Sequence, residues 1–235
     1  PYPGMEHPET RGPGRLGGFR AAMVPVCGGV ASLITETGYH TALATASAHL
    51  PVSEAIRARY MPRLLLFAYL AGMRRTYIYE LRSSFGRGPA DPESAFGLLT
   101  HEGRPTAAYR AVKTLIALFS GPRGPAAAPS PGPASSRPIA TIGSHEDVQG
   151  QCFRRDDGTI LLPLWLGVSG WDRGAQATRV PVSRSLRVEC GDRRNALTMH
   201  RFDDEGGSRA VSVPLEDGVG RIEVSDRLTV LEFAA

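Results

Sequence analysis

An acidic residue stands where a short apolar strand is predicted to end. Ala31, Leu33 and Ile34 suit a strand buried on both faces, and in the segment 33–40, with the sequence LITETGYH, Glu36 closes this strand and Gly38 follows. In a parallel α/β barrel the carboxyl ends of the strands converge on the ligand, which makes Glu36 a candidate active-site carboxylate. The alternative is an acid that only keeps the end of a strand solvated.

The elements around Glu36 alternate between strand and helix. A helix is predicted over residues 53–72, where apolar residues recur at helical spacing between a serine cap and a glycine cap, and Pro62 is expected to kink it. Residues 75–81, rich in β-branched and aromatic types, predict a second strand, and residues 105–119 predict a second amphipathic helix. This order predicts a parallel sheet with right-handed crossovers.

Three segments, taken in order, resemble one enzyme family. The sequences ITETGYH, LAGMRRTYIYEL and ESAFGLLTHEGRPTAAYRAVKTLIALF are similar to the last two βα units of clan A glycoside hydrolases, the retaining (β/α)8 glycosidases related to cellulases and xylosidases. The resemblance covers roughly residues 1–120. It implies that Glu36, at the end of strand seven, is the nucleophile and that Tyr2, in the tail of a His-x-Tyr motif, hydrogen-bonds it. Tyr79 stands near the place of the aromatic residue, most often Trp, that floors the sugar site.

The resemblance also implies that part of the catalytic machinery lies outside this sequence. The clan's general acid/base is a Glu that follows an Asn at the end of strand four, and the stretch before Glu36 is too short to contain strands one to five. Double displacement needs two carboxyls about 5–5.5 Å apart. Glu80 is disfavoured as the second one, because side-chain alternation turns either Tyr79 or Glu80 inward, not both. We therefore expect the C-terminal piece of a longer protein, which requires the missing barrel strands for turnover.

The resemblance implies a carbohydrate substrate and a hydrolysis that uses no cofactor and no metal. Tyr39 and His40 follow Glu36 in the loop that would rim the site, and both are candidate substrate-binding residues. For His40 the alternative is a loop histidine that faces water. Two other interpretations of the whole chain stay open: a non-catalytic carbohydrate-binding or structural appendage derived from a glycosidase, and an unrelated α/β protein in which Glu36 is structural.

A change of pattern predicts a second domain. Residues 121–138 are dense in Pro, Ala, Ser and Gly and predict a linker between a partial (β/α)8 barrel over residues 1–120 and an accessory domain over residues 139–235. Eight short β-rich runs separated by turn signals, including an Asp-Asp-Gly hairpin at 156–158, predict an antiparallel β-sandwich. The run RRDDGTILLPLWLG resembles the central hairpin of the sandwich that closes many clan A chains.

The two tryptophans are the residues on which this sandwich would stack a sugar. Trp165 lies in an apolar run and is expected in the core, whereas Trp171, between Gly170 and Asp172, is expected to be exposed. One exposed aromatic residue makes a poor platform for a sugar. We therefore expect a structural appendage more than a sugar-binding module.

Composition excludes several classes of partner. The chain has 235 residues and a net charge of +4, but its 27 basic residues, all Arg except Lys113, form no basic run, which argues against a nucleic-acid partner. No apolar stretch reaches the length of a membrane span. No N-terminal signal is visible, which leaves secretion or display on the cell surface open.

The three cysteines, Cys27, Cys152 and Cys190, lack metal-ligand spacing. Cys152 and Cys190 are expected either to form a disulfide or to be buried free thiols.

Overall fold

The computed structural model describes residues 2–10, 16–28, 30–121, 140–142, 146–190 and 196–233. The chain divides into two units, each assembled from separate stretches of sequence. Unit 1 contains Pro1–Val112, Gly167–Val180 and Asp204–Gly206, and unit 2 contains Lys113–Leu166, Pro181–Asp203 and Gly207–Ala235. The predicted linker 121–138 lies outside the described residues except for residue 121, and the predicted domain boundaries stay a prediction.

Unit 1 is built on a two-stranded parallel sheet. Its main elements are helix α1 Leu16–Cys27, strand β1 Ser32–Thr37, helix α2 Glu54–Leu70, strand β2 Met73–Ile78, a short 3-10 helix Pro92–Ser94 and helix α3 Ala107–Ser120, which passes into unit 2 at Lys113. β1 and β2 run parallel, with Ile34 opposite Thr76. From β1 onward the strands and α-helices follow the predicted order of strand, helix, strand and helix, whereas α1 and the 3-10 helix were not predicted.

Helix α2 forms where its caps and apolar spacing place it. The Oγ of Ser53 accepts a hydrogen bond from the Ile56 N–H at 3.3 Å, which satisfies one of the free donors at the helix start. After Leu70 the chain turns through Gly72 at φ 79°, a left-handed conformation that favours glycine. The buried face of α2 packs with residues of both strands in the core of unit 1, formed by Ile34, Ile56, Tyr60, Met61, Leu64, Ala68 and Met73 among others.

Three arginines of α2 are buried, which hydrophobic periodicity does not predict. Arg57 donates to the backbone carbonyl of Ala95 at 2.9 Å. Arg59 forms two hydrogen bonds with the carboxylate of Asp204, at 2.6 and 2.7 Å. Arg63, 0% exposed, pairs with Glu9, 5% exposed, at 2.5 Å. Each buried guanidinium therefore has acceptors that offset part of its lost hydration, and Nε of Arg57 is the one guanidinium nitrogen among them that is buried without a hydrogen bond to any described residue.

Strand β1 is buried only in part, not on both faces as predicted. Ile34 is 1% exposed and Thr37 is 0% exposed, whereas Leu33 is 48% exposed and the side chain of Glu36 is also accessible. Among the described residues only β2 pairs with β1, which leaves the other edge of the strand unpaired there.

Unit 2 is an antiparallel β-sandwich, which confirms the predicted fold class. Its strands are β3 Ala140–Ile142, β4 Val148–Gly150, β5 Phe153–Arg154, β6 Ile160–Leu166, β9 Ser183–Glu189, β10 Ala196–Phe202, β11 Ser208–Pro214, β12 Val219–Ser225 and β13 Thr229–Phe233, while β7 Trp171–Asp172 and β8 Ala177–Thr178 form a small hairpin in unit 1. One sheet has the order β11-β10-β13-β6-β4, with β5 also on β6, and the other has the order β12-β9-β3. The Asp-Asp-Gly turn connects β5 to β6 as predicted.

The middle of the sandwich is apolar. Trp165, on the interior strand β6, is 0% exposed, which confirms its predicted core position.

Cys152 and Cys190 are free thiols, so the disulfide alternative is wrong for this structure. Within the described parts of both units, no helix is long and apolar enough to cross a membrane.

Candidate active site

The phenol of Tyr2 meets the carboxylate of Glu36 at the carboxyl end of β1. The Tyr2 O–H donates a hydrogen bond to Oε1 of Glu36, whose side chain is exposed. The second oxygen, Oε2, has no hydrogen bond to any residue that the structure describes. Burial raises the pKa of Tyr2, and the hydrogen bond to Glu36 raises it further, because a phenolate would repel the neighbouring carboxylate. Tyr2 is therefore a hydrogen-bond donor, and Glu36 is held through one oxygen only.

Tyr79 directly follows β2 and lies beside this pair. Its backbone N–H donates to the carbonyl of Thr37 at 2.8 Å, which joins the ends of the two strands. Its ring centroid is 6.4 Å from that of Tyr2, with the ring planes 79° apart. The Tyr79–Glu80 peptide bond is cis. The structure thus brings Glu36, Tyr2 and Tyr79 together at one end of the parallel sheet.

Phe96 packs between the aromatic side chains of the site. It is 4% exposed, and its ring centroid lies 5.5 Å from that of Tyr2, 5.3 Å from that of Tyr79 and 4.9 Å from that of His40. The contacts to the two tyrosines are edge-to-face, an arrangement that aromatic rings prefer. Phe96 therefore fixes the positions of both tyrosine rings.

A cleft of about 300 Å³ opens next to Tyr2. It is lined by Tyr2, Ser47, His49, Pro92, Glu93 and Phe96. Its size is at the lower end of the range for small-molecule sites, and its wall combines ring faces with a carboxylate and an imidazole. In the portion of the chain that the structure describes, no three His, Cys, Asp or Glu side chains are grouped so that they could hold a metal ion.

His40 and Tyr39 lie beneath the site, not on its surface. His40 is 3% exposed, its Nε2 lies 2.7 Å from the carbonyl oxygen of His49, and its Nδ1 accepts from the Ala42 N–H at 3.3 Å. Both ring nitrogens are therefore engaged in the fold, and burial lowers the pKa of the ring. Tyr39 is 2% exposed, and its hydroxyl donates to the carbonyl of Glu6 at 3.0 Å. Neither side chain offers a free group to a ligand, so both are left out of the site that we propose.

Two further residues named from the sequence are engaged in other parts of unit 1. The carboxylate of Glu80 accepts hydrogen bonds from the N–H and the hydroxyl of Ser84, at 3.0 and 2.5 Å, and stabilises the turn after β2. Trp171 is 3% exposed and belongs to the core of unit 1. The expectation that Trp171 is exposed is wrong, because its short strand β7 pairs with β8 and turns the indole inward.

Sequence reasoning missed five of the six residues that line the cleft, which are Ser47, His49, Pro92, Glu93 and Phe96. Glu93 accepts a hydrogen bond from the Tyr79 hydroxyl at 2.5 Å. The sequence did contain a local signal for its turn, since Asp91 followed by Pro92 is a typical start of a helical turn. That signal places Glu93 in the turn but does not reveal that Tyr79 is its partner.

Comparison with known structures identifies the class of fold. The chain is similar over 98% of its length to a family 39 glycoside hydrolase from Bacteroides cellulosilyticus WH2, with 16% sequence identity and a TM-score of 0.58. It is similar over 100% of its length to CelM2, a bifunctional glucanase-xylanase from a metagenome library, with 11% identity and a TM-score of 0.52. The chain spans 42% of the length of each of these proteins.

At these identities the likeness establishes the fold. The fold is the C-terminal segment of a (β/α)8 barrel followed by an antiparallel β-sandwich, and the resemblance to clan A glycoside hydrolases is confirmed at that level. No protein-family model and no curated protein sequence matches the chain.

Proposed function

We propose that this chain is the C-terminal part of a retaining glycoside hydrolase whose nucleophile is Glu36. One observation carries the proposal: the Tyr2 phenol donates to an exposed carboxylate at the carboxyl end of a parallel strand, which is where barrel enzymes place their catalytic groups. The hydrogen bond orients the carboxylate through Oε1 and leaves Oε2 available for attack.

In the proposed reaction Oε2 of Glu36 attacks the anomeric carbon of a glycoside. The bond between that carbon and the leaving oxygen breaks, and a general acid protonates the leaving oxygen. Water, activated by the same group acting as base, then hydrolyses the glycosyl ester and restores Glu36. The acid/base carboxyl belongs, in this proposal, to barrel strands that precede the present sequence.

The cleft beside Tyr2 suits part of a carbohydrate. The rings of Tyr2 and Phe96, which line it, can contact the C–H groups of a sugar, while Glu93 and His49 can bind its hydroxyl groups. Tyr79 stays our candidate for the residue that stacks on the sugar.

Covalent labelling tests the nucleophile without requiring the missing acid. The probe is a fluoroglycoside with a dinitrophenyl leaving group. Dinitrophenolate departs as a stable anion that needs no proton, so attack by Glu36 should leave a glycosyl ester on the protein. Mass spectrometry of the digested chain should locate this ester on the peptide that contains Glu36. Glu36→Gln should abolish labelling, whereas Glu80→Gln, which removes a carboxylate after the neighbouring strand, should retain it.

Labelling of Glu36→Gln at the native rate would contradict the assignment. The same variant, in a chain extended by the upstream coding sequence, should lose hydrolysis of aryl glycosides. If the extended native chain binds oligosaccharides but neither hydrolyses them nor accepts the label, the alternative holds, and the chain is a non-catalytic carbohydrate-binding or structural appendage derived from a glycosidase.

A further inference from the structure

The carboxylate of Glu93 lines the cleft, and the double-displacement mechanism assigns it no role. The turn that carries it is fixed by local hydrogen bonds: Asp91 Oδ1 accepts from the Glu93 N–H at 3.2 Å, and Asp91 Oδ2 accepts from the Ser94 hydroxyl at 3.1 Å. The backbone of Glu93 is therefore held in place independently of its side chain.

The side chain of Glu93 binds the phenol of Tyr79. The O–H to carboxylate distance of 2.5 Å is typical of a charge-assisted hydrogen bond. This bond raises the pKa of Tyr79, and burial raises it further. Like Tyr2, Tyr79 therefore remains a protonated donor.

The cleft and its immediate surroundings thus bring together two phenol donors and two carboxylate acceptors, joined as separate pairs; Tyr2 and Glu93 line the cleft, and each is bonded to one of the other two residues. Tyr2 donates to Glu36 and Tyr79 donates to Glu93, although the two rings are only 6.4 Å apart. Without Glu93, the half-buried phenol of Tyr79 would bond to another acceptor in its surroundings, because a hydroxyl that is shielded from water and unpaired is unfavourable. Glu36 supplies such an acceptor, since its charge acts on the Tyr79 phenol and its Oε2 has no hydrogen bond to any described residue.

We propose that Glu93 is a positioning residue that engages the Tyr79 phenol and thereby keeps Oε2 of Glu36 free of a second hydrogen bond. The catalytic meaning of this arrangement rests on the proposed function, since a nucleophile that accepts two phenol donors is a weaker one. The pairing itself is a property of the folded chain and can be measured without any substrate.

The test uses the full chain with tyrosine carrying carbon-13 at Cζ, observed by NMR from about pH 7 to about pH 10.5, where an ordinary phenol with a pKa of about 10 titrates. Tyr79→Phe and Tyr2→Phe assign the two resonances. In the native chain neither should titrate in this range. In Glu93→Gln the Tyr79 resonance should begin to titrate within this range, because its acceptor has lost its charge. The charge of Glu80 also raises the pKa of Tyr79, but Glu80 makes no bond to the phenol, so Glu80→Gln should lower the Tyr79 titration less than Glu93→Gln does.

A second pair of variants tests the effect on Glu36. Glu93→Ala leaves the Tyr79 phenol without its acceptor, so the Tyr2 resonance should shift as the two phenols compete for Glu36. Tyr79→Phe removes the competing phenol of Tyr79. The Tyr2 resonance should therefore stay unchanged in Tyr79→Phe and also in the double variant that combines Tyr79→Phe with Glu93→Ala. A Tyr79 titration unchanged in Glu93→Gln, or a Tyr2 shift that persists in the double variant, would overturn the proposal. Failure of Glu36 to accept the glycosyl label would overturn the proposed function and leave this NMR result standing.

Discussion

Gly38 lies so close to Tyr79 that a Cβ atom at position 38 would overlap the carbonyl oxygen of Tyr79. The two residues follow β1 and β2, the strands that end beside the proposed site. The absence of a side chain at Gly38 therefore allows the two strand ends to approach, and with them the side chains of Glu36 and Tyr79.

We predict that Gly38→Ala destabilises unit 1 by about 1–3 kcal/mol, because the added methyl group must displace backbone rather than a flexible side chain. Gly174→Ala is the matched control, since a Cβ there meets only Asp172 Oδ1 at 3.6 Å. The control should change stability by less than about 0.5 kcal/mol. Denaturant unfolding of the full chain measures both, and equal effects would refute the close approach.

The ion pair of Glu9 with Arg63 should make stability depend on pH. Burial alone would raise the pKa of Glu9, but the charge of Arg63 and the hydrogen bonds from His7 and Arg63 lower it to about 2 from an ordinary value of 4.5. A group with a depressed folded-state pKa stabilises the fold above its unfolded pKa and loses that contribution as the pH falls. The difference of about 2.5 pH units corresponds to about 3 kcal/mol at about 1.4 kcal/mol per unit.

We therefore predict that the free energy of unfolding falls between about pH 4.5 and about pH 2, and that Glu9→Gln removes this part of the pH dependence. At neutral pH the same variant should be less stable than the native chain, because Arg63 stays buried without its anion. Glu223→Gln, which replaces an exposed carboxylate on β12, is the control and should keep the pH dependence of the native chain. Urea unfolding at several pH values measures all three, and an unchanged pH profile in Glu9→Gln would contradict the role of this pair.

Tyr2→Phe should slow the labelling of Glu36 by the activated fluoroglycoside by about 10- to 100-fold, because the carboxylate loses its orienting donor while the ring remains against Phe96. Stability should change by less than about 1.5 kcal/mol, since one hydrogen bond to an exposed carboxylate is lost. Tyr77, 50% exposed on β2, provides the control variant Tyr77→Phe. If Tyr2→Phe is labelled at the native rate, Tyr2 does not orient Glu36.

Both tryptophans should report a buried environment. Trp165 is 0% exposed and Trp171 is 3% exposed, and the chain contains no other tryptophan. Fluorescence emission should therefore lie at short wavelength, resist quenching by iodide and move to longer wavelength on unfolding. A fraction of the emission that iodide quenches readily, and that Trp171→Phe removes, would show that Trp171 is exposed.

Local patterns predicted most of the fold. The helical spacing and serine cap of α2, the parallel strands on either side of it and the Asp-Asp-Gly hairpin of the sandwich depend on neighbouring residues, and each was found where the sequence placed it. The resemblance also drew attention to Tyr2 and Glu36, which are 34 positions apart in sequence and hydrogen-bonded in the structure.

Side-chain partners that depend on the tertiary fold could not be predicted. The burial of Arg59 and Arg63 depends on carboxylates 145 and 54 positions away, for which no local pattern gives a signal. Histidine is a residue type common in active sites, and His40 follows Glu36 closely in sequence. In the structure, however, it is buried, and a carbonyl and an amide of its own loop engage both ring nitrogens. The role of Glu93 depends on its hydrogen bond with Tyr79, a contact between two segments that the local sequence does not indicate.

The interleaving of the two units along the chain limits how the protein can be shortened. A truncation after residue 120 would delete residues 167–180 and 204–206, and with them the indole of Trp171 and the carboxylate that neutralises Arg59. The remaining piece would therefore retain a buried cation and a gap in its interior. Expression of the barrel portion alone should yield unfolded or proteolysed material, so boundaries for recombinant work must retain the chain through its last strand.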